Sequence, residues 1–259
     1  MRASALRIGL LGAGNMARGM ALGWGSSQPL VITDVVPERA QALAAQVDGL
    51  AVPDGPELAR QSDLVVLCHK PAQLREVAEL VAPHARAVAS ILGGVPLADL
   101  RAAYPGVPVY RLLPSTPVEV RQGVIIQAEQ EEQDPGLDEA VREAFSALGE
   151  LVVLPESQID VAMGLMSNAP AYMALVVEAQ TDAGVRHGLP APLAARLATQ
   201  NMAGTAALIA ARDYDTLAVR REVTSPGGST ARGVDALERA GLRGAFAAAI
   251  DAVLRPPSS

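Results

Sequence analysis

The chain has 259 residues, half of them apolar, and a formal net charge of −7 at a sequence pI of about 5.0. That size supports one large domain or two ordinary ones with a self-sufficient core, and its one cysteine, Cys68, excludes an intramolecular disulfide. No basic face is evident for nucleic acid and no unbroken apolar run of about 18 residues points to a membrane span, so the expectation is a cytoplasmic protein with a small-molecule ligand, no nucleic-acid or membrane partner and no bound metal.

Residues 1–155 alternate short apolar runs with helical stretches. Strands are expected at Leu6–Leu11, Leu30–Thr33, Leu64–Leu67, Ala87–Ile91, Val107–Leu112, Val124–Gln127 and Glu150–Val153. Amphipathic stretches lie between them, including Met16–Gly23, Pro37–Gln46, Gln73–Val81 and Asp138–Leu148. Such alternation implies a mainly parallel, doubly wound sheet, an α/β fold of the Rossmann type. The Ile8–Gly14 stretch behind Arg2 and Arg7 is short and glycine-broken, and reads as a strand entering a turn rather than a secretion signal. Glu129–Asp134 reads as a solvated loop.

No strand is expected after Pro155. Ser157 reads as a helix N-cap with Asp160 three residues on. Helical periodicity continues to His187, broken at Asn168-Ala169-Pro170, and stops at Gly188 and Pro190. An alanine-rich helix from Pro192 to about Ala211 follows, then short helices near Thr230–Ala240 and Arg243–Leu254 and a frayed tail over 255–259. The expected domains are 1–155, binding a dinucleotide, and 156–259, all-α. The second half carries only Tyr172, Tyr214 and Phe246 as aromatics. A core of small side chains buries little area per residue, so this half is expected to be a dimerisation domain.

Gly12-Ala13-Gly14-Asn15-Met16-Ala17 joins the first strand to the first helix. There Gly12 serves the tight turn, Gly14 lets backbone approach a pyrophosphate, and the helix-start amides beyond it, from Asn15 and Met16, attract phosphate. Asp34, twenty residues after Gly14 at the end of the second strand, suits the ribose hydroxyls of NADH and repels the 2′-phosphate of NADPH; its alternative is a carboxylate capping the next helix. Arg39 is close enough in sequence to offset that repulsion. Cys68-His69-Lys70-Pro71 leaves the third expected strand, Leu64–Leu67, on the same edge of the sheet. Lys70, the single lysine beside twenty arginines, can reach a ribose or phosphate. Cys68 reads as a small buried hydrophobe, and alternation along a strand separates it from His69. Further on, Ser225-Pro226-Gly227-Gly228-Ser229-Thr230 makes a sharp turn into a helix, where the amides of Gly228, Ser229 and Thr230 form an anion site suited to a carboxylate. The Thr230 hydroxyl there can bond a substrate nitrogen or merely cap the helix.

Together with Lys70-Pro71, Gly93-Gly94-Val95, Pro114-Ser115-Thr116-Pro117, Pro170-Ala171-Tyr172, Asp182–Leu189, Gln200 and Gly204, Leu237-Glu238 and Arg243, these segments resemble the pyrroline-5-carboxylate reductase family nearly end to end. The resemblance implies NAD(P)H-dependent reduction of a cyclic imine to proline by a homodimer or larger oligomer of dimers. It also implies that Lys70, Pro71 and Gly93 line the cofactor cleft, and that the Ser225–Thr230 loop lies opposite the nicotinamide, with Thr230 as the catalytic side chain. Three segments depart from the family pattern, one of them Cys68-His69, which replaces a commonly apolar pair before Lys70-Pro71. Ser115 stands for a usual asparagine, and Met166-Ser167-Asn168-Ala169 for a usual Ser-Gly-Ser-Gly, putting a methionine and Asn168 at the expected substrate site. They leave open a related imine reductase with another substrate, or a non-catalytic NAD(H)-binding regulator of the same fold. A hydroxyacid dehydrogenase of this architecture would need a lysine in the helical half, and none follows Lys70.

Overall fold

The computed structural model describes residues 6–254. Its strands are β1 (Ile8–Leu11), β2 (Leu30–Thr33), β3 (Leu50–Ala51), β4 (Leu64–Leu67), β5 (Val88–Ser90), β6 (Val109–Pro114), β7 (Gly123–Ala128) and β8 (Gly149–Leu154). They form one sheet in the order β3-β2-β1-β4-β5-β6-β7-β8. Every neighbouring pair is parallel except β6 with β7. The connecting helices are α1 (Asn15–Trp24), α2 (Pro37–Val47), α3 (Gly55–Arg60), α4 (Leu74–Val81), α5 (Leu97–Ala103) and α6 (Pro135–Ser146).

β1, β2 and β4 are buried along their whole length, as parallel strands covered on both faces must be. Leu64 and Val66 join one apolar cluster with Met20, Trp24, Ile32 and Phe145, while Val65 and Leu67 join another with Leu58, Val81 and Leu100. Alternation along β4 therefore feeds two cores, one per sheet face. In the first, Trp24 meets Phe145 edge to face at 5.4 Å and donates its indole N–H to the Ala144 carbonyl at 2.7 Å, which locks α1 to α6. Each fully buried side chain of this size contributes about 1.5–3 kcal/mol.

The strand order reverses between β1 and β4, which both leave their carboxyl ends at the same edge. Ligands bind at such a switch point in doubly wound sheets.

The chain divides into two compact units at Asn168/Ala169. In the first, α7 (Ile159–Met166) packs on β7. The second contains α8 (Ala169–Arg186), α9 (Ala191–Ala210), α10 (Thr216–Glu222), α11 (Ser229–Arg239) and α12 (Leu242–Leu254). No strand occurs there among the described residues. Its buried apolar side chains among them are Ala194, Ala198 and Val219, the thin core expected from its composition.

The structure corrects several expectations. β3 was not foreseen, because two residues carry no periodicity. α10 is also additional, and its start is marked by Asp215, whose carboxylate accepts from the Ala218 N–H at 2.9 Å. Ser157 is not an N-cap: it lies inside a 3₁₀ turn over Glu156–Gln158, and α7 begins after Gln158. The Glu129–Asp134 loop is more than solvated surface. Gln133 accepts from and donates to the Val109 backbone, at 3.0 and 2.9 Å, and Asp134 caps α6. By length and composition alone, the segment Glu156–Arg186 is apolar enough to cross a membrane, although no unbroken apolar run was evident in the sequence. The chain turns at Ser167-Asn168 within it. The expected frayed tail lies outside the described residues.

Candidate active site

The dinucleotide cradle is built at the carboxyl ends of β1, β2 and β4. Gly12 takes φ +117°, and a Cβ there would lie 2.9 Å from the Cys68 carbonyl oxygen, so any side chain would drive β1 and β4 apart. Gly14, the N-cap of α1, has ordinary φ, and a Cβ on it would meet nothing within 4 Å. No side chain caps α1, so the amides of Asn15, Met16 and Ala17 keep their donors free at the positive end of the helix. Open space above Gly14 and uncapped amides beside it are what a pyrophosphate requires. Ala17 is buried against the sheet, as close helix–strand packing demands.

Asp34 uses both carboxylate oxygens on backbone. Oδ2 accepts from the Ala13 N–H at 2.7 Å and Oδ1 from the Val36 N–H at 2.9 Å. The residue thus ties the glycine loop to β2 and also orders the entry to α2, so its capping alternative holds in part. A carboxylate has about four acceptor directions, so lone pairs remain for a ligand. Val35 beside it is 90 % exposed, and its side chain carries no donor for an anion. Arg39 is exposed in the first turn of α2.

At the end of β4, Cys68 is a small apolar filler packed on the core, and burial pushes its thiol far up, out of the nucleophile range. Among the described residues, His69 makes no hydrogen bond to it. Its Nδ1 faces the Lys70 carbonyl at 2.9 Å and so carries the proton, which leaves Nε2 as a buried acceptor without a partner. Burial lowers the His69 pKa against the raising effect of that carbonyl. The Lys70 side chain is exposed, while Gln73 satisfies its backbone at both ends, accepting from its N–H at 3.2 Å and donating to its carbonyl at 3.0 Å. Pro71 opens the 3₁₀ turn that leads into α4. Gly93 and Gly94 turn after β5 at the same edge, and Gly94 takes φ +72°.

Two departures from the family pattern have structural reasons. Ser115 is buried, and its hydroxyl accepts from the Val124 N–H at 2.9 Å, pinning β6 to β7. Met166 packs with Leu97, Leu113 and Ile126 in an apolar cluster. Asn168 is half-buried at the end of the first unit, its N–H on the Met163 carbonyl at 3.3 Å.

The second candidate element lies in the helical unit. Gly227 takes φ +70°, which favours glycine, and a Cβ on Gly228 would crowd the Ser225 carbonyl oxygen at 3.1 Å. The Gly228 N–H donates to the Ser225 carbonyl at 3.0 Å. That corrects the expectation that this amide is free; the uncommitted donors at the start of α11 are those of Ser229, Thr230 and Ala231. No side chain caps α11, Thr230 included. Sequence reasoning missed Arg232, whose guanidinium donates to the Gly227 carbonyl at 2.8 Å and staples the turn from inside α11. It also missed Arg111, a buried cation on β6 paired with Glu156 at 2.7 Å; an arginine inside an otherwise apolar strand was the available signal.

A mainly parallel Rossmann sheet with an open glycine cradle at its switch point, followed by a helical unit, has the architecture of a dinucleotide-dependent oxidoreductase. Residues 7–94 match the family model for NADP oxidoreductases, coenzyme F420-dependent, and residues 156–256 match the model for pyrroline-5-carboxylate reductase dimerisation. A pyrroline-5-carboxylate reductase from Synechocystis sp. is 33% identical over 257 residues, spanning 96% of each chain. The 1-pyrroline-5-carboxylate reductase structure from Streptococcus pyogenes superposes with a TM-score of 0.87 at 27% identity over 97% of each chain. That of the Plasmodium falciparum pyrroline carboxylate reductase, with NADP bound, gives 0.86 at 24% over 96% and 95%. The chain belongs to the pyrroline-5-carboxylate reductase family, and is an NAD(P)H-dependent oxidoreductase of that kind.

Proposed function

We propose that this protein reduces 1-pyrroline-5-carboxylate to L-proline with NAD(P)H, in the last step of making proline. The observation that carries the reading is the likeness to a pyrroline-5-carboxylate reductase along 96% of the chain, which leaves neither half unaccounted for.

Gly12, Gly14, Asn15 and Met16 would hold the dinucleotide pyrophosphate, Asp34 the adenosine ribose, and Lys70, Pro71 and Gly93 the rest of the cleft. When bound, the reduced nicotinamide supplies a hydride to the C=N carbon, and a proton on the ring nitrogen completes the amine. The chain's own work is positional and electrostatic. The amides of Ser229 and Thr230, on the Gly228 turn, would take the substrate carboxylate. The Thr230 hydroxyl would orient the ring nitrogen, and Asn168 would contribute to the substrate pocket.

NADH is the favoured donor on this reading. Asp34 carries negative charge where a 2′-phosphate would sit, and the exposed Val35 side chain offers that phosphate no donor in return. The functional boundary is placed at 155/156, after β8, with the helical half as the dimerisation and substrate domain. Its exposed Met173, Leu175, Leu197 and Leu237 support an obligate dimer or a larger oligomer of dimers, in which the apolar Glu156–Arg186 segment covers a second subunit rather than lipid. A cytoplasmic location fits a soluble oligomer of this kind.

The experiment is a steady-state comparison of pyrroline-5-carboxylate with six-membered piperideine carboxylates. A preference for the five-membered imine supports the proposal. A preference for the six-membered ring identifies a related imine reductase, and no turnover of either a nucleotide-binding regulator.

A further inference from the structure

β6 runs through the centre of the buried sheet, yet it carries Arg111, 3 % exposed. A cation taken out of water at that depth is costly unless it is paired and hydrogen-bonded. Its Nη1 donates to Glu156 Oε1 at 2.7 Å, and its Nη2 lies 3.8 Å from Asp160, while Nε has no partner. The same Glu156 oxygen accepts from the Leu97 N–H at 2.7 Å. Leu97 opens α5, whose N-cap, Pro96, has no side chain to cap it. A carboxylate 59 residues away therefore caps α5, and a buried arginine holds that carboxylate in place.

The segment held this way includes the Gly93–Gly94 turn, three residues before Leu97. On its other side, Met163 of α7 brings its sulfur to 3.7 Å from where a Cβ on Gly93 would stand. Glu156 thus joins β6, the start of α5 and the approach to α7 around one glycine turn at the ligand-binding edge of the sheet. Glycine turns have little stiffness of their own, so their geometry is set by what holds their ends.

We propose that Arg111 and Glu156 are a positioning pair for the reduction: they fix the Gly93–Gly94 turn, and through it the reach of hydride to imine, without contributing to the affinity for either ligand. The inference rests on the reading that this turn lines the cofactor cleft. Small misplacements of reacting groups lower the rate of the chemical step far more than they weaken binding.

The test is kinetic and structural on the full-length enzyme, with Glu156→Ala, Glu156→Gln and Arg111→Lys. Glu156→Ala should lower kcat about tenfold or more, with the imine KM and the NADH Kd within about twofold of wild type. Amide hydrogen exchange over residues 93–97 should be faster. Glu156→Gln keeps an acceptor for Leu97 and Arg111 and should restore most of kcat. If Glu156→Ala does not fold, Arg111→Lys carries the test, because lysine keeps the charge but loses the planar fork; it too should lose kcat at constant Kd. Wild-type kcat in either variant, a loss confined to KM or Kd, or unchanged exchange over 93–97 overturns the pair. A wild-type enzyme inactive on the imine would instead defeat the substrate reading. The pair then stands or falls on the exchange result alone.

Discussion

Asp34 Oδ2 accepts a hydrogen bond from the Ala13 N–H at 2.7 Å, across the gap between the end of β2 and the glycine loop. One carboxylate therefore both shapes the phosphate cradle and stands where the adenosine ribose is expected. Its substitution should change two quantities. Asp34→Ser should shift the NADH-to-NADPH ratio of kcat/KM towards NADPH by roughly ten- to a hundredfold, as a 2′-phosphate repulsion is lost. It should also weaken binding of both nucleotides, because the Ala13 and Val36 amides lose their acceptor. A wild-type enzyme that already favours NADPH strongly would show that Arg39 outweighs Asp34.

Gly12 and Gly14 should fail differently. Gly12→Ala puts a Cβ 2.9 Å from the Cys68 carbonyl at φ +117°, so it should lower the melting temperature markedly. Gly14→Ala meets nothing in the protein within 4 Å, so it should cost no more than the roughly 1 kcal/mol by which alanine is worse than glycine at a helix N-cap, while NADH affinity drops as the methyl occupies the phosphate space. Calorimetry and nucleotide titration separate the two. Equal stability losses would contradict the cradle.

Ser115 should prove structural. Ser115→Ala leaves the part-buried Val124 N–H without its acceptor and should cost about 1 kcal/mol of stability. Denaturant unfolding measures this, with kcat/KM little changed in the folded enzyme. A kinetic loss without a stability loss would place Ser115 on the substrate instead.

Much of this was legible beforehand. β2 and β4 fall on the expected residues because parallel strands buried on both faces read as continuous apolar runs bounded by polar turns. The glycine cradle is readable because Gly12 takes a conformation other residues avoid, directly after an apolar strand and before a helix start. β3, with two residues, and α10, with seven, fell below the length at which periodicity speaks. The Arg111–Glu156 pair was invisible for another reason. Its partners lie 45 residues apart, and only the fold brings them together. Asp34 was read for its ligand role, but its hold on Ala13 needed coordinates.

Glu156 should leave a signature in the acid limb of stability. Burial raises its pKa, but the hydrogen bonds from Leu97 and Arg111 outweigh that, and its carboxyl titrates below the usual 4.5. A depressed folded-state pKa contributes stability that is present above 4.5 and lost as pH falls through the lower, folded value. Glu156→Gln should therefore be less stable than wild type near neutrality and converge with it in acid. The side chain is 40% exposed, so solvent screening keeps the difference small. Melting curves that run parallel at all pH values would rule the linkage out.

Thr230→Ala should leave NADH binding nearly unchanged and lower kcat/KM for the imine by about 1.5–3 kcal/mol, the loss of a hydrogen bond to a charged group. Thr230→Ser should keep most activity. α11 has no side-chain cap to lose, so the melting temperature should barely move. Wild-type kinetics at sub-saturating imine would remove Thr230 from the site.

Every residue role described above serves hydride transfer from a nicotinamide to the C=N carbon of pyrroline-5-carboxylate. The most direct test is to incubate the purified protein with NADH deuterated at C4 on the transferred face and the imine, and to isolate the amino acid formed. The expected product is L-proline carrying one deuterium at Cδ, with one NADH oxidised per proline. Proline without deuterium, or no proline while the protein still binds NADH, would contradict it.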